Sequence, residues 1–136
     1  MVRAHFSYLL LIPVAFLLIG ARSTPLQDPD PIPVPSGLSG QDVSKAIRGA
    51  IVQRGWVVSK DENGKIDAVL HLREHVARIT IAYDTKQVKP VYVSSENLLY
   101  QEKNGTRYIH RNYANWMQNV VADISRALQV ASIQHE

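Results

Sequence analysis

Five residues in the middle of the chain, His71-Leu72-Arg73-Glu74-His75, spell H-x-x-E-H. In one class of zinc enzymes this spacing puts two imidazoles on a metal and a glutamate beside its bound water. That chemistry requires both histidines on one face of a helix, a third protein ligand and an open coordination position. The flanking residues argue for a different setting. Ile66, Ala68, Leu70 and Leu72 alternate with other residue types, and Ala77, Ile79, Ile81 and Tyr83 repeat the pattern. A period of two marks half-buried strands, so the string falls at the polar end of a hairpin. No catalytic residue, metal ligand or cofactor is assigned. The chain has no G-x-S-x-G, no phosphate-cradling glycine loop and no internal repeat, and the expectation is a protein that is not an enzyme. A metal-dependent hydrolase using His71, Glu74 and His75 is the lesser alternative.

A second group of residues is polar without forming a motif. Arg107, His110 and Arg111 stand just before a long amphipathic stretch, with Ser95 and Tyr100 upstream. These are candidates for a small pocket that takes an anionic group, because a helix N-terminus supplies free backbone donors and a favourable dipole. In the plainer alternative His110 or Asn112 caps the helix and the arginines are solvated. Asn112, Asn115 and Asn119 are candidates for hydrogen bonding to a partner, with Trp116 beside them as an aromatic anchor. Arg73 and Arg78 share a sheet face with Asp67, Val69, His71, Val76, Thr80 and Ala82, and with Val91 and Val93 this face is a further candidate contact surface.

The elements that must position these groups follow from local chemistry. Ser39 and Asp42 have the spacing of a helix start, Val43, Ala46, Ile47, Ala50 and Ile51 fall on one face, and Gly55 stands where such a helix ends. Trp56, Val57 and Val58 then switch to strand composition, and Asn63-Gly64 is a tight-turn signal into the next strand. Val88 to Ser95 reads as a further strand, where Pro90 withholds a backbone donor and so indicates an edge or a bulge. Asn104-Gly105 is a second turn signal. From Arg111 to Val130, at 100° per residue, Tyr113, Trp116, Met117, Val120, Ile124, Ala127 and Leu128 cover one arc, and Asn112, Asn115, Asn119 and Arg126 fall opposite it. The expected fold is α+β: a two-layer sandwich with an antiparallel sheet of about four strands, in the order αββββα, and both helices on one face.

The N-terminus supplies the expectation about compartment. Arg3 and His5 precede an apolar run from Phe6 to Ile19, followed by Gly20-Ala21-Arg22-Ser23, which is the layout of an export signal. The run is shorter than the roughly 20 residues a spanning helix needs and contains Pro13. The expected cut follows Ser23 or Ala21, with an uncleaved anchor as the alternative. Contact with a membrane is expected only through that segment. A cut after Ser23 takes Arg3 and Arg22 with it, so the net charge of +3 falls to +1 and nucleic acid is not an expected partner. There is no cysteine, hence no disulfide and no cysteine-linked lipid, which fits a bacterial periplasm better than a eukaryotic exterior. Residues 24–37 hold five of the seven prolines and are expected to form a semi-stiff linker, leaving one domain over 38–134.

Tyr92-Val-Ser-Ser-Glu-Asn-Leu-Leu-Tyr100 and Ile109-His-Arg-Asn-Tyr-Ala-Asn-Trp-Met-Gln-Asn-Val-Val-Ala-Asp-Ile124, together with Arg54-Gly-Trp56 and Gly64-Lys-Ile-Asp-Ala68, resemble a family of small, largely uncharacterised bacterial envelope proteins. Many members look like lipoproteins. The resemblance implies an exported α+β protein and brings no catalytic residues with it. Ala21 stands where a lipidated cysteine would follow Leu18-Ile19-Gly20, so this chain departs from the lipoprotein pattern. The leading expectation is a non-enzymatic envelope protein that binds another envelope protein or a cell-wall component, through its open sheet face or the Trp116 side of the last helix. A small periplasmic ligand carrier is the alternative.

Overall fold

The elements run β1 (Ser23–Pro25), β2 (Ile32–Pro33), α1 (Gly40–Val52), β3 (Val57–Glu62), β4 (Lys65–Leu72), β5 (His75–Tyr83), β6 (Gln87–Glu96), β7 (Gln101–Lys103), β8 (Thr106–His110) and α2 (Arg111–Gln134). The computed structural model describes Ala4 and residues 22–136. The segment read as an export signal lies outside the described residues, apart from Ala4, Arg22 and Ser23.

Helix α1 starts as its sequence requires. The Ser39 hydroxyl accepts from the Asp42 amide at 3.1 Å, and the Asp42 carboxylate accepts from the Ser39 amide at 2.9 Å, which closes a capping box. Those hydrogen bonds hold the Asp42 carboxyl below its usual range. Gly55 ends the turn after the helix at φ 94°, a conformation without penalty only for glycine. Val43, Ile47, Ala50 and Ile51 are buried from α1, and Tyr113, Met117, Val120, Ile124 and Leu128 from α2. Both helices face the same side of the main sheet, where Ile66, Ala68, Leu70, Ala77, Ile79, Ile81, Val88 and Tyr92 complete a single core.

The sheet is larger than the expected four strands. Five strands lie in the order β2-β6-β5-β4-β3, all antiparallel, and β1-β8-β7 form a separate three-stranded sheet. The order αββββα is therefore corrected to ββαββββββα. The four additional strands, β1, β2, β7 and β8, are two to five residues long, too short to show alternation. Asn63-Gly64 and Asn104-Gly105 make the hairpin turns expected of them, with positive φ at both residues of each pair.

The proline-rich segment is not a free spacer. Ser23, Thr24 and Pro25 pair with His110, Ile109 and Tyr108, the Leu26 amide donates to the Arg107 carbonyl at 2.8 Å, and Ile32 pairs with Val88. Leu26 and Ile32 are buried in the core. Proline composition fixes extended geometry but says nothing about what lies alongside. Here the two leucine and isoleucine side chains between the prolines anchor a strap across the domain, so the folded unit begins near Ser23 and not at Leu38.

Both edges of the main sheet are defended. Beyond its short pairing with β2, strand β6 offers Pro90, which has no amide, and Tyr92, whose amide donates to the Asp28 carboxylate at 2.9 Å. A bulge at Val93 breaks the register there. At the other edge β3 carries a bulge at Ser59 followed by Lys60, Asp61 and Glu62. Bulges, proline and charge are the usual devices against strand addition.

Candidate functional site

The H-x-x-E-H string occupies the β4–β5 hairpin, with Arg73 at φ 56° in its two-residue turn. Register decides its chemistry. His71 has the outward parity of Asp67 and Val69, while His75 has the inward parity of Ala77 and Ile79. The two imidazoles therefore leave opposite faces of the sheet, and the zincin arrangement is not built. Among the described residues no group of three or more acidic, histidine or cysteine side chains is placed to hold a metal.

His75 instead joins a cluster with two residues singled out in the sequence. Its ring centroid lies 6.1 Å from that of His110 and 6.1 Å from that of Trp116. Leu72, its register partner, keeps the inward parity of Leu70 but is exposed past the helix layer. The loop over 97–100 completes this end of the molecule. His75 Nδ1 donates to the Asn97 carbonyl at 2.6 Å, Asn97 Nδ2 donates to the Glu74 carbonyl at 2.8 Å, and the His110 amide donates to the Leu98 carbonyl at 2.7 Å. Leu98 fills the core at 1 % exposure, whereas Leu72, Leu99 and Tyr100 are 46 %, 45 % and 42 % exposed. Leu99 also sits at φ 57°, a left-handed conformation in which a leucine is strained.

Tyr100 stacks on Tyr92 with centroids 5.2 Å apart, and Tyr92 meets Tyr113 edge-on at 5.5 Å. The Tyr92 hydroxyl and Ser95 Oγ are hydrogen bonded at 2.8 Å. Burial pushes the Tyr92 phenol up, and burial with the nearby Asp28 charge pushes the Tyr113 phenol well above its usual range.

The two imidazoles at this end do not form a metal pair. His110 is the N-cap of α2, and its Nδ1 accepts from the Asn112 amide at 3.0 Å. A backbone amide is a fixed donor, so the neutral ring carries its proton on Nε2 and offers no lone pair there. Burial, the neighbouring His75 and Arg22 hold the His110 pKa below its ordinary value.

The anion pocket expected from Ser95, Tyr100, Arg107, His110 and Arg111 is not assembled. Arg107 reaches toward Asp28 at 3.8 Å, His110 spends its lone pair on the cap, and Arg111 is exposed on the first turn of α2. Asn115 and Asn119 are exposed on the outer flank of α2, away from the buried arc. Arg78 belongs to the open sheet face, bonded to Ser94 at 3.3 Å and Glu96 at 3.0 Å, and Thr80 donates to Asp67 at 2.6 Å on the same face. Those satisfied polar pairs separate Val57 and Val69 from Val91 and Val93, so the face is not a continuous apolar surface.

A further polar cluster ties α1 to the sheet. Ser44 Oγ donates to Asp61 at 2.5 Å and accepts from Arg48 at 3.1 Å, and the Tyr83 hydroxyl donates to Asp61 at 3.0 Å. Without an imidazole to accept the Ser44 proton this is a structural tie, not an activated nucleophile.

Leu72, Leu99, Tyr92 and Asp28 were not singled out from sequence as site residues. Leu98-Leu99-Tyr100 did carry a signal: three bulky side chains in a short connection cannot all be buried. Asp28 carried none, since its partner amide lies 64 residues away. Compared with known proteins, the chain matches no protein-family model, no curated protein and no solved structure.

Proposed function

We propose that the protein is a non-enzymatic binding module of the bacterial envelope that engages another exported protein through the end formed by Leu72, His75, Leu99, Tyr100, His110 and Trp116. The observation that carries this reading is Leu99. An exposed leucine in a left-handed backbone conformation is unfavourable twice, once in strain and once in hydration, and such strain persists where the surroundings impose it. Here Leu98 beneath it and the hydrogen bonds of His75, Asn97 and His110 impose it. Export rests on the Phe6–Ile19 run with its basic and small-residue flanks. Strand addition to the main sheet is disfavoured by its defended edges, and the exposed apolar and aromatic side chains at this end favour side-chain recognition.

A photo-crosslinking amino acid placed at Leu99 or Tyr100 in living cells tests this. The expected outcome is one recurrent envelope-protein adduct from both positions and none from Asn119. Adducts equally frequent from Asn119, or none from Leu99 and Tyr100, would defeat the proposal.

A further inference from the structure

The strap and α2 enclose a groove of about 700 Å³ on a different flank of the helix from Trp116. At 100° per residue, Ala114, Gln118, Val121 and Ala122 share that flank, while Trp116 falls some 150° away. The groove follows α2 from Tyr113 to Ser125, a distance of about 18 Å at the helical rise. Met117 and Val121 give it an apolar floor, and Pro25 and Pro29 lie on the opposite wall. Asp28 and Asp30 line it, and no basic side chain does so among the described residues.

Tyr113 is the feature that ordinary packing leaves unexplained. The residue is 2 % exposed, lines the groove, and its hydroxyl has no hydrogen-bond partner among the described residues. Buried hydroxyls are nearly always bonded, so one without a partner asks what would satisfy it.

We infer that this groove binds an extended peptide of about five or six residues that carries a lysine or arginine among apolar side chains. At roughly 3.3 Å per residue such a peptide spans the length of the groove. Gln27, Gln118 and Ser125 line the groove and can bond backbone amides along it, which an acyl chain would leave unused. The basic side chain is placed by charge. Asp28 already accepts from the Tyr92 amide and faces Arg107, so Asp30 is the carboxylate that takes most of the ligand's cation. The Tyr113 hydroxyl, closed off from solvent in the free protein, then donates to a peptide carbonyl at the end of the groove nearest Tyr92 once residues 27–31 of the strap adjust to admit it. This site is separate from the Leu99 patch, so its failure leaves the envelope-module reading standing, and the reverse also holds.

The test uses the purified full chain and two fluorescein-labelled hexapeptides, one alternating leucine with lysine and one alternating leucine with glutamate, followed by fluorescence anisotropy. Saturable binding of the lysine peptide is expected, at least tenfold tighter than the glutamate peptide. Asp30→Lys should weaken it by roughly tenfold, as expected for reversing one partly exposed charge. Tyr113→Phe should weaken it about fivefold, the worth of one neutral hydrogen bond, while the melting temperature stays the same or rises. The absence of saturable binding, or equal affinity for both peptides, would overturn the inference. So would binding indifferent to Asp30→Lys, or a lower melting temperature in Tyr113→Phe, which would mean that the hydroxyl is already bonded within the protein.

Discussion

Leu98 and Leu99 are adjacent, chemically identical and in opposite circumstances, and substituting them separates strain from burial. Leu98→Ala removes a side chain that is 1 % exposed, and the expected loss is about 3 kcal/mol from lost transfer energy and a residual cavity. Leu99→Asn acts through two opposing terms. A left-handed conformation costs a leucine about 1–2 kcal/mol, whereas asparagine tolerates it, so the substitution relieves about 1 kcal/mol. Leu99 is 45 % exposed, so roughly half of the ~2 kcal/mol available from burying a leucine is forfeited. The two terms nearly cancel, and Leu99→Asn should lie within about 1 kcal/mol of the wild type. Leu99→Val keeps the apolar character and worsens the strain, since a β-branched residue at positive φ is a true outlier, and should lose about 1–2 kcal/mol. Equilibrium urea unfolding followed by Trp56 and Trp116 fluorescence reads all three. A loss above about 2 kcal/mol for Leu99→Asn, or a valine variant more stable than the asparagine variant, would show that Leu99 is held by packing and would remove the argument for a presented leucine. If the argument holds, Leu99→Asn loses the crosslinked partner while keeping its fold.

Other expectations follow from the same geometry. His110 is held neutral by burial and by its cap, with a folded pKa below its ordinary value near 6.5. Its stabilising contribution is therefore complete above that value and lost as pH falls through the lowered folded pKa. His110→Ser keeps a capping acceptor without a titrating ring, so melting temperatures measured between pH 8 and pH 5 should fall less steeply in the variant than in the wild type. Gly64→Ala and Gly105→Ala both force alanine to positive φ, at about 1 kcal/mol each. At Gly64 the added Cβ also meets the Tyr83 carbonyl oxygen at 3.0 Å, whereas at Gly105 it meets nothing within 4 Å, so calorimetry should find the Gly64 variant clearly the less stable. Leu26→Ala should cost about 2–5 kcal/mol if the strap is part of the core, and almost nothing if the segment were a loose tail.

The sequence carried much of the fold because most of its signals were local. Ser39 with Asp42, Asn63-Gly64 and Asn104-Gly105 each specify their own backbone geometry, and each does so in the structure. Alternation over 66–72 and 77–83 assigned the sheet faces because one strand face is buried. The strap is not legible in the sequence because its position depends on Leu26 and Ile32 finding a distant core and on Asp28 finding the Tyr92 amide, and no local pattern encodes those contacts. The candidate site divided in the same way. His110 as a helix cap was legible from its place before an amphipathic stretch, and Trp116 from its place at the edge of the apolar arc. Their meeting with His75 was not, because it depends on the register of the β4–β5 hairpin relative to α2.

The strap also limits how the molecule can meet other chains. Asp28 takes the Tyr92 amide on the stretch of β6 beyond Pro90, so the same short segment that closes the groove over α2 also covers part of the sheet edge. A partner that peeled the strap away would expose the Tyr92 amide, leave Arg107 without its carboxylate and uncover Leu26 and Ile32 together. Unsatisfied polar groups and newly wetted apolar surface both oppose that motion. A groove ligand must therefore enter with Leu26 and Ile32 still seated, adjusting only the residues between them, whereas a partner at Leu99 needs no displacement of the strap. Hydrogen exchange at the Tyr92 amide distinguishes the two events. Protection that persists when the Leu99 partner binds, and rises when a groove peptide binds, is the expected pattern. Loss of protection on peptide binding would mean that the strap opens, and would contradict the strap's role as a fixed wall of the groove.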